Sequence, residues 1–436
     1  MLEVADKTCP YAPADLSRLL ELDPELVKCP FPLYDVLREQ APVTRNDTLG
    51  GFVVTRHEDI VEVLRQPELF SSAAASGPSS VSAVARQLLD DPATPETLRQ
   101  QAARRLKLSE SPVLLFTDPP LHKRQRVLVS AAFHPRRVKQ LEPDVRRLVT
   151  ELLDAFPPDG KVELVSSFSI SLPMTVIASL LGVPPENMAT FKRWSNAFTQ
   201  GVGSLEHSSE DVAEMFDAVD DFYDYFTEQI ERRRREPEDD LLSDLVAARL
   251  DGAEPLSLDE MLQMLVQFLV AGNETTTNML TTLLLRLSVD AQLQQRVRED
   301  PALVPTLVEE VLRVEAPVQG MFRVAREDTT LAGVEIPRGS VVWLVYGSGN
   351  RDSEVYSAPD QIDLDDEREP HLAFARGEHF CLGANIARLE LRIAVEMMLE
   401  RYGRIELECA PEDVTYNRSF VLRGIAALPL RFSTSA

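Results

Sequence analysis

Cysteine is scarce in this chain, which has four in 436 residues: Cys9, Cys29, Cys381 and Cys409. They are widely separated and no two form a CxxC pair, so the sequence does not favour a disulfide scaffold. Each thiol is therefore expected to be free unless it binds a ligand.

Positive charge is also in short supply, because the net charge is −25 and the pI is about 4.7. A protein that coats nucleic acid or an anionic membrane needs a positive field, so neither role is expected. Met1–Leu20 contains five charged side chains and no continuous apolar run, which argues against a signal peptide and a membrane anchor. We expect a cytoplasmic protein without membrane insertion and without a nucleic-acid partner.

The pattern of apolar residues predicts a mainly α fold with small peripheral β-sheets. Amphipathic helices dominate from about Gln140 to Leu312, with Asp211–Ile230 and Leu241–Leu250 as examples. Strand-like runs lie elsewhere, at Gly51–Thr55, at Thr329–Ile336 and Ser340–Tyr346 around a turn at Pro337-Arg338-Gly339, and at Ser419–Phe432. No linker or internal repeat is evident, so we expect a single domain over residues 1–436.

Two segments do not fit this pattern. Ser71–Ser111 is rich in Ser, Ala and Pro at its start and has no clear core face, which predicts a long and partly mobile excursion. Glu231–Asp240 is highly charged and is interpreted as a solvated turn between helices.

The strongest chemical signal is the ten-residue run FARGEHFCLG, from Phe374 to Gly383, followed by a predicted helix over Ala384–Tyr402. A cysteine at the mouth of a helix receives the positive end of the dipole and nearby N–H groups, which favours a thiolate ligand. Gly377 and Gly383 suit a tight turn or close approach to a flat ligand, and Phe374 can shield the sulfur. An isolated Cys381 would more often be a small buried apolar residue. The complete pattern favours the ligand.

A second signal lies in a predicted long helix over Leu258–Val289, started by a capping box of Ser257 and Glu260. Apolar residues surround most of it, which predicts burial. Its interior run GNETT, from Gly272 to Thr276, is unexpected, because Gly costs about 1 kcal/mol there and unpaired polar groups cost more. For the threonines alone, hydrogen bonding back to the preceding turn is the simpler interpretation.

Together with the EVLR run that begins at Glu310 and the DPPLHKRQR run that begins at Asp118, these motifs resemble the cytochrome P450 family, closely its soluble bacterial members. The resemblance covers the chain from about Pro30 onward. It implies the cytochrome P450 fold, with haem b, iron protoporphyrin IX, between the long helix and the Cys loop.

The resemblance also implies the haem-binding residues. Cys381 would be the axial thiolate and therefore the metal ligand. Four cationic groups would pair with the haem propionates: His122, Arg126, Arg323 and His379. Further haem contacts would come from Phe374, Gly383, Ala271 and Gly272. A solvated polar face is the alternative for His122 and Arg126, which lie four residues apart on a helix.

In the family, an acid followed by Thr in the long helix delivers protons during O2 activation, and a widened turn there makes a groove for O2. Glu274 and Thr275 occupy these positions, so the resemblance makes them the catalytic pair. Asn273 is less typical at its position. Ala375 replaces a family glycine, which is expected to be a mild change.

Glu310 and Arg313 lie three residues apart and can pair on one helix face. By themselves they would be interpreted as an ordinary surface pair. The resemblance implies instead that they are buried and joined by Arg368, as structural support for the Cys loop with no part in the chemistry.

The implied activity is that of a haem-thiolate monooxygenase, which hydroxylates or otherwise oxidises an apolar small molecule. The resemblance places the substrate pocket against the Ser71–Ser111 excursion, Ala271 and these residues: Val270, Val318, Gln319, Phe420 and Val421. A peroxide-driven peroxygenase is the alternative, although it would not need the Glu274–Thr275 pair. A haem sensor and a cofactor-free structural protein explain less of the sequence.

No flavin or iron–sulfur module is evident, so electrons derived from NAD(P)H are expected to arrive through a ferredoxin and a ferredoxin reductase. Leu121–Leu141 contains six Lys or Arg residues and no acid. A solvated basic face is the simpler interpretation, but such a stretch suits docking of an acidic ferredoxin. The docking residues predicted from it are Lys123, Arg124, Arg136, Arg137 and Lys139.

Overall fold

The computed structural model describes residues 10–75, 77, 81–108, 111–130, 133–199, 209–365 and 368–433. Cys9, Asp366, Glu367 and parts of the 71–111 segment (76, 78–80 and 109–110) lie outside these residues.

The described part of the chain contains α-helices that account for most of its regular structure. In chain order they are α1 (Leu16–Leu20), α2 (Pro24–Lys28), α3 (Phe31–Gln40), α4 (His57–Leu64), α5 (Val81–Asp90), α6 (Glu96–Leu108), α7 (Leu121–Ser130), α8 (Pro135–Gln140), α9 (Glu142–Asp154), α10 (Ser171–Leu180), α11 (Met188–Thr199), α12 (Ser209–Arg235), α13 (Leu241–Ala247), α14 (Leu258–Val289), α15 (Ala291–Glu299), α16 (Val304–Val314), α17 (Tyr346–Gly349) and α18 (Ala384–Arg401).

The strands are short. They are β1 (Val43–Asn46), β2 (Gly51–Val54), β3 (Phe70–Ser71), β4 (Lys161–Glu163), β5 (Met321–Ala325), β6 (Thr329–Leu331), β7 (Val334–Ile336), β8 (Val341–Leu344), β9 (Arg404–Leu407), β10 (Thr415–Tyr416), β11 (Ile425–Ala427) and β12 (Pro429–Ser433). They form a five-stranded sheet in the order β1-β2-β8-β5-β3, a three-stranded sheet β4-β12-β9, and the pairs β10-β11 and β6-β7. The expected mainly α fold with small sheets is confirmed.

Helix α14 lies at the centre of the largest apolar cluster, together with α9, α10, α16 and α18. Its predicted limits and its capping box are confirmed, since Ser257 and Glu260 each bind the other's backbone N–H. No helix of the described residues combines the length and apolar character needed to cross a membrane.

Two of the predicted strand-like runs each divide into two strands in the structure. β6 and β7 form a hairpin with each other, and β8 pairs with β5 and β2. The hairpin turns at Ala332 and Gly333, whose φ angles of 48° and 80° suit a two-residue turn. This turn was hard to predict from the sequence, because alanine rarely adopts positive φ. The 419–432 run likewise divides, because β11 pairs with β10 while β12 pairs with β4 and β9.

The prediction that the 71–111 segment has no core face is wrong. Within its described residues it folds into α5 and α6, and their inner side chains pack against α12. The cluster consists of Val84, Ala85, Leu98, Ala102, Val212, Met215 and Phe216. Val84, Ala85, Leu88 and Leu89 recur at helical spacing in α5, so the sequence contained this apolar face and the prediction of an excursion overlooked it.

The charged run at 231–240 is more than a solvated turn. α12 continues through Arg235, and Arg233 is buried with its Nη2 2.7 Å from Oδ2 of buried Asp240. Arg232 and Arg234 remain at the surface as expected.

A second buried ionic cluster joins the two ends of the described chain. Glu315, just after α16, accepts hydrogen bonds from Arg286 of α14 and, at 3.0 Å, from Nε of Arg423. Arg423 also donates to the carbonyl of Lys28 at 2.6 Å. Burial would raise the pKa of Glu315, but the neighbouring arginines lower it to about 2. The carboxylate is therefore ionised and fixes three distant segments.

Candidate active site

Cys381 lies two residues before the Gly383 cap of α18, and its own N–H donates to the carbonyl of Phe374 at 2.9 Å. Burial raises the pKa of the thiol, while the N–H groups of Gly383 and Ala384 and the charge of Arg126 act in the opposite direction. The backbone thus presents the donors that the sequence predicted for a thiolate ligand.

The four predicted propionate partners are brought into one region. The rings of His122 and His379 lie 4.2 Å apart between centroids, and the charges of Arg323 and Arg126 act on His379. Burial, with Arg323 and His122, lowers the pKa of His379 to about 3. The charges of Arg126 and Arg323 make both imidazoles harder to protonate, and a bound anion would offset that effect.

Asp118 is the acid that acts on this cluster, and its carboxylate is already engaged. It accepts hydrogen bonds from Ser71 Oγ at 2.5 Å, from the Ser72 N–H at 2.8 Å and from Arg326 at 2.6 Å. An external anion such as the two carboxylates of a haem therefore fits the charges that the structure assembles here.

Helix α14 has an open stripe in the middle of its buried length. Ala271 is exposed, while Gln267, Val270, Glu274 and Thr275 are half-buried on the same side. The opposite side, including Asn273 and Thr277, is buried. α14 also packs against α18, the helix that follows Cys381.

Glu274 and Thr275 both lie on this stripe. Burial raises the pKa of Glu274, opposed by a long hydrogen bond of 3.5 Å from Asn278 Nδ2. Thr275 Oγ1 donates to the carbonyl of Ala271 at 2.7 Å, which is the back-bonding that the threonines alone suggested. Among the described residues, the carboxyl group of Glu274 is thus held only by this long hydrogen bond.

The expected widening of this turn is not observed. α14 is α-helical without interruption through residues 271–276. Asn273 points into the core and donates to Ser195 Oγ at 2.7 Å, and Thr277 donates to the carbonyl of Ser169. Asn273 and Thr277 thus have partners outside α14, while Thr275 bonds within it, and neither arrangement requires the helix to open.

The three predicted support residues form one ionic group. Arg313 donates to both carboxylate oxygens of Glu310, at 2.8 and 2.9 Å, and both side chains are buried. Nε of Arg368 lies 3.3 Å from Glu310, and its Nη2 binds Asp363 at 3.0 Å. The remaining donors of Arg313 bind carbonyl groups of the segment that leads to the Cys loop.

The replacement of a family glycine by Ala375 has a larger effect on the backbone than the mild change expected from the sequence. Its φ is 55°, in the left-handed region that costs a residue with a Cβ about 1–2 kcal/mol. The glycine usual in the family would adopt this conformation freely. The Cys loop of this chain therefore stores a modest backbone strain.

The predicted pocket residues have different surroundings. Val270 and Val318 are half-buried, whereas Gln319, Phe420 and Val421 are buried. The two loops meet, since the N–H of Gln319 donates to the carbonyl of Val421 at 2.7 Å and Val318 bridges to Leu422. Their contact with substrate stays a prediction.

The predicted docking residues divide into two groups. Arg124 binds Glu260, and Arg137 binds Asp239, so acids from distant parts of the chain neutralise both. Lys123, Arg136 and Lys139 are exposed, and no ion pair of theirs occurs among the described residues. A stretch without acids in sequence is therefore only partly a basic surface in the fold.

Sequence reasoning missed Arg388, which lies over the ring of Phe374 with its Cζ 4.6 Å from the centroid and binds Glu309. The signal was its spacing, since Arg388 is seven residues after Cys381 and one turn into the helix that follows. It also missed Ser72, whose Oγ lies 3.0 Å from His379 Nε2.

Comparison with known proteins agrees with this geometry. The family model of cytochrome P450 matches residues 187–423. The chain is 36% identical to cytochrome P450 107B1 of Saccharopolyspora erythraea, over 91% of this chain and 94% of that protein. It is 32% identical to the vitamin D(3) 25-hydroxylase of Pseudonocardia autotrophica, over 92% and 93% respectively. The structure of CYP109E1 from Bacillus megaterium with corticosterone superimposes with a TM-score of 0.79 at 32% identity, covering 93% and 99%.

The chain therefore belongs to the cytochrome P450 family, and it is a monooxygenase of the oxidoreductase class that uses haem iron, O2 and a supply of electrons. The thiolate donors at Cys381, the anion-seeking cluster at His122 and His379, and the open stripe on α14 fit a haem with its carboxylates.

Proposed function

We propose that this protein hydroxylates an apolar small molecule, with Cys381 as the axial ligand of haem b and with electrons from NAD(P)H delivered by a ferredoxin and its reductase. The observation that carries the proposal is Cys381 in its loop, with the N–H groups of Gly383 and Ala384 and the charge of Arg126 directed at the sulfur. The bound haem supplies the activation of O2.

The residues of this chain have separate roles in that reaction. His122, Arg126, Arg323 and His379 neutralise the haem carboxylates. Glu274 holds a proton on its carboxyl, and Thr275 holds a hydroxyl on the same open stripe, so that protons reach the site in order. Glu310, Arg313 and Arg368 fix the loop that carries Cys381.

An apolar substrate suits the half-buried apolar side chains Val270 and Val318 and the exposed Ala271. One related protein is named as a vitamin D(3) hydroxylase, and the structure of another contains corticosterone. Both compounds are apolar small molecules. This likeness supports the class of substrate only.

The electron donor would dock on the surface beside the Cys loop. Arg126 of α7 donates to the carbonyl of Phe380 at 2.8 Å, so α7 and the loop adjoin. Phe380 and Val127 are apolar side chains exposed there by 40% and 47%. Exposed Lys123 and Lys139 supply positive charge for an acidic ferredoxin.

The CO complex of the reduced protein tests the ligand. We expect the strongly red-shifted Soret band that thiolate ligation gives, and Cys381→His should abolish it. Cys29→Ala and Cys409→Ala are matched controls and should leave the band unchanged. An unshifted band in the wild type would overturn the proposal.

The peroxygenase alternative is separated by supplying peroxide without reductase. A monooxygenase should turn over faster with NAD(P)H, ferredoxin and reductase than with peroxide alone. Glu274 and Thr275 favour this outcome, because they provide protons that a peroxide-driven reaction does not require.

A further inference from the structure

Arg388 of α18 lies close to the loop that carries the sulfur, where the loop adjoins α16. Its guanidinium covers the ring of Phe374, with 4.6 Å from Cζ to the ring centroid. The carbonyl of Phe374 in turn accepts the N–H of Cys381 at 2.9 Å. One aromatic residue therefore separates a fixed cation from the proposed axial ligand.

The position of Arg388 is fixed by an ion pair with Glu309 that contains two hydrogen bonds. Its Nε and Nη2 donate to Oε1 and Oε2 of Glu309, each at 2.7 Å. His371 Nε2 lies 3.3 Å from the same carboxylate. Burial would raise the pKa of Glu309, but Arg388 and His371 lower it to about 2, so its charge is permanent near neutral pH.

The two charges of this pair act on Cys381 with opposite sign. Arg388 favours negative charge on the sulfur, and its guanidinium lies over the ring of Phe374 while it is bound to the carboxylate of Glu309. Negative charge held on the sulfur is not donated to the iron, and a nearby cation also favours the more reduced and less positive metal centre.

We infer that Arg388 is a positioning residue that sets the reduction potential of the iron through Phe374 and Cys381, with Glu309 limiting its effect. The inference rests on the proposed function, because it requires Cys381 to be the axial ligand. It adds a residue that the proposed function does not include. The role of this residue would be to control how readily the enzyme accepts its first electron.

Spectroelectrochemical titration of the haem-loaded protein measures this effect directly. Arg388→Met should lower the ratio of ferrous to ferric protein at a fixed potential by about threefold or more, which is about 28 mV for a one-electron couple. Glu309→Gln should shift the ratio in the opposite direction, because the cation then acts without its partner. Arg388→Lys keeps the charge and should remain near the wild type.

Arg392→Met is the matched control. Arg392 lies one turn further along α18, is similarly exposed and pairs with Glu396 and Glu142 in place of Glu309. Its loss removes the same charge farther from Phe374, so its shift should be less than half of that of Arg388→Met.

Equal shifts for Arg388→Met and Arg392→Met would overturn the inference, as would a shift for Arg388→Lys as large as that for Arg388→Met. If Arg388→Met fails to fold, the opposite shift of Glu309→Gln and the unchanged potential of Arg388→Lys still decide the matter. The CO spectrum of the wild type separates the two proposals, since an unshifted Soret band refutes the thiolate ligand itself.

Discussion

The two sides of the site differ in how firmly their polar groups are held. On the side of the Cys loop, Arg388 and Arg313 each make two short bonds to a carboxylate, and Arg126 is bound to a carbonyl of the loop. On the side of α14, and among the described residues, Glu274 has one long hydrogen bond and Thr275 binds a carbonyl of its own helix. The firmly held side suits the proposed haem ligand, and the loosely held side suits the proposed proton donor.

The largest expected effect is a loss of stability, and it tests how strongly the buried ion pair on the side of the Cys loop holds that loop. Arg313→Met leaves Glu310 buried without its main partner, so the free energy of unfolding should fall by about 3–5 kcal/mol in denaturant titrations. Arg404→Met removes an exposed pair with Glu406 and should change it by about 0.5 kcal/mol or less. Similar losses for both variants would show that the buried group does not hold the loop.

A smaller effect is expected on the rate of substrate turnover, and it tests the side of α14. Glu274→Gln cannot donate a proton, so substrate turnover should fall by about 100-fold with little change in stability. Burial raises the pKa of Glu274. The wild-type rate should therefore fall as the pH rises through that raised pKa, and this limb should be absent from the variant.

Asp259→Asn makes the same chemical change at an exposed position of α14 and is the control. Thr275→Ala should divert reducing equivalents to peroxide, whereas Thr275→Ser should retain the coupling of NAD(P)H consumption to product. Full turnover in Glu274→Gln would contradict the contrast between the two sides.

The smallest effect is expected on the rate of reduction by a ferredoxin, and it tests the exposed surface beside the Cys loop. Lys139→Gln should slow reduction by a ferredoxin about two- to threefold at low salt and less at high salt, because exposed charges are screened over about 10 Å at 0.1 M. Lys192→Gln, an exposed lysine on α11, should have no effect. Reduction rates that do not depend on Lys139 or on salt would place docking elsewhere.

Local patterns carried much of the prediction. The limits of α14, its capping box and the pairing of Glu310 with Arg313 follow from spacing along one helix, and the structure has all three. The Cys loop could be identified because its pattern extends over ten consecutive residues, with Ala375 as the one departure noted. The contact of Arg368 with Glu310 came from the resemblance, since the two are far apart in sequence.

The errors arose where distant segments decide the outcome. Arg124 and Arg137 seemed free because their acids, Glu260 and Asp239, lie more than 100 residues further along the chain. The core face of α5 and α6 is completed by α12, a distant segment, although the apolar spacing within α5 itself was visible and was overlooked. The partners of β8 were missed for the same reason, since β2 joins it from nearly 300 residues away.

The Glu315 cluster has a consequence for how the chain is made. Arg423 reaches the carbonyl of Lys28 across 395 positions of sequence. During synthesis Lys28 emerges long before Arg423, and this contact must wait until Arg423 has left the ribosome. Closing so long a loop is slow and costs entropy. The contact of the Lys28 segment with Arg423 is therefore among the interactions that must form late, although Lys28 itself is made early.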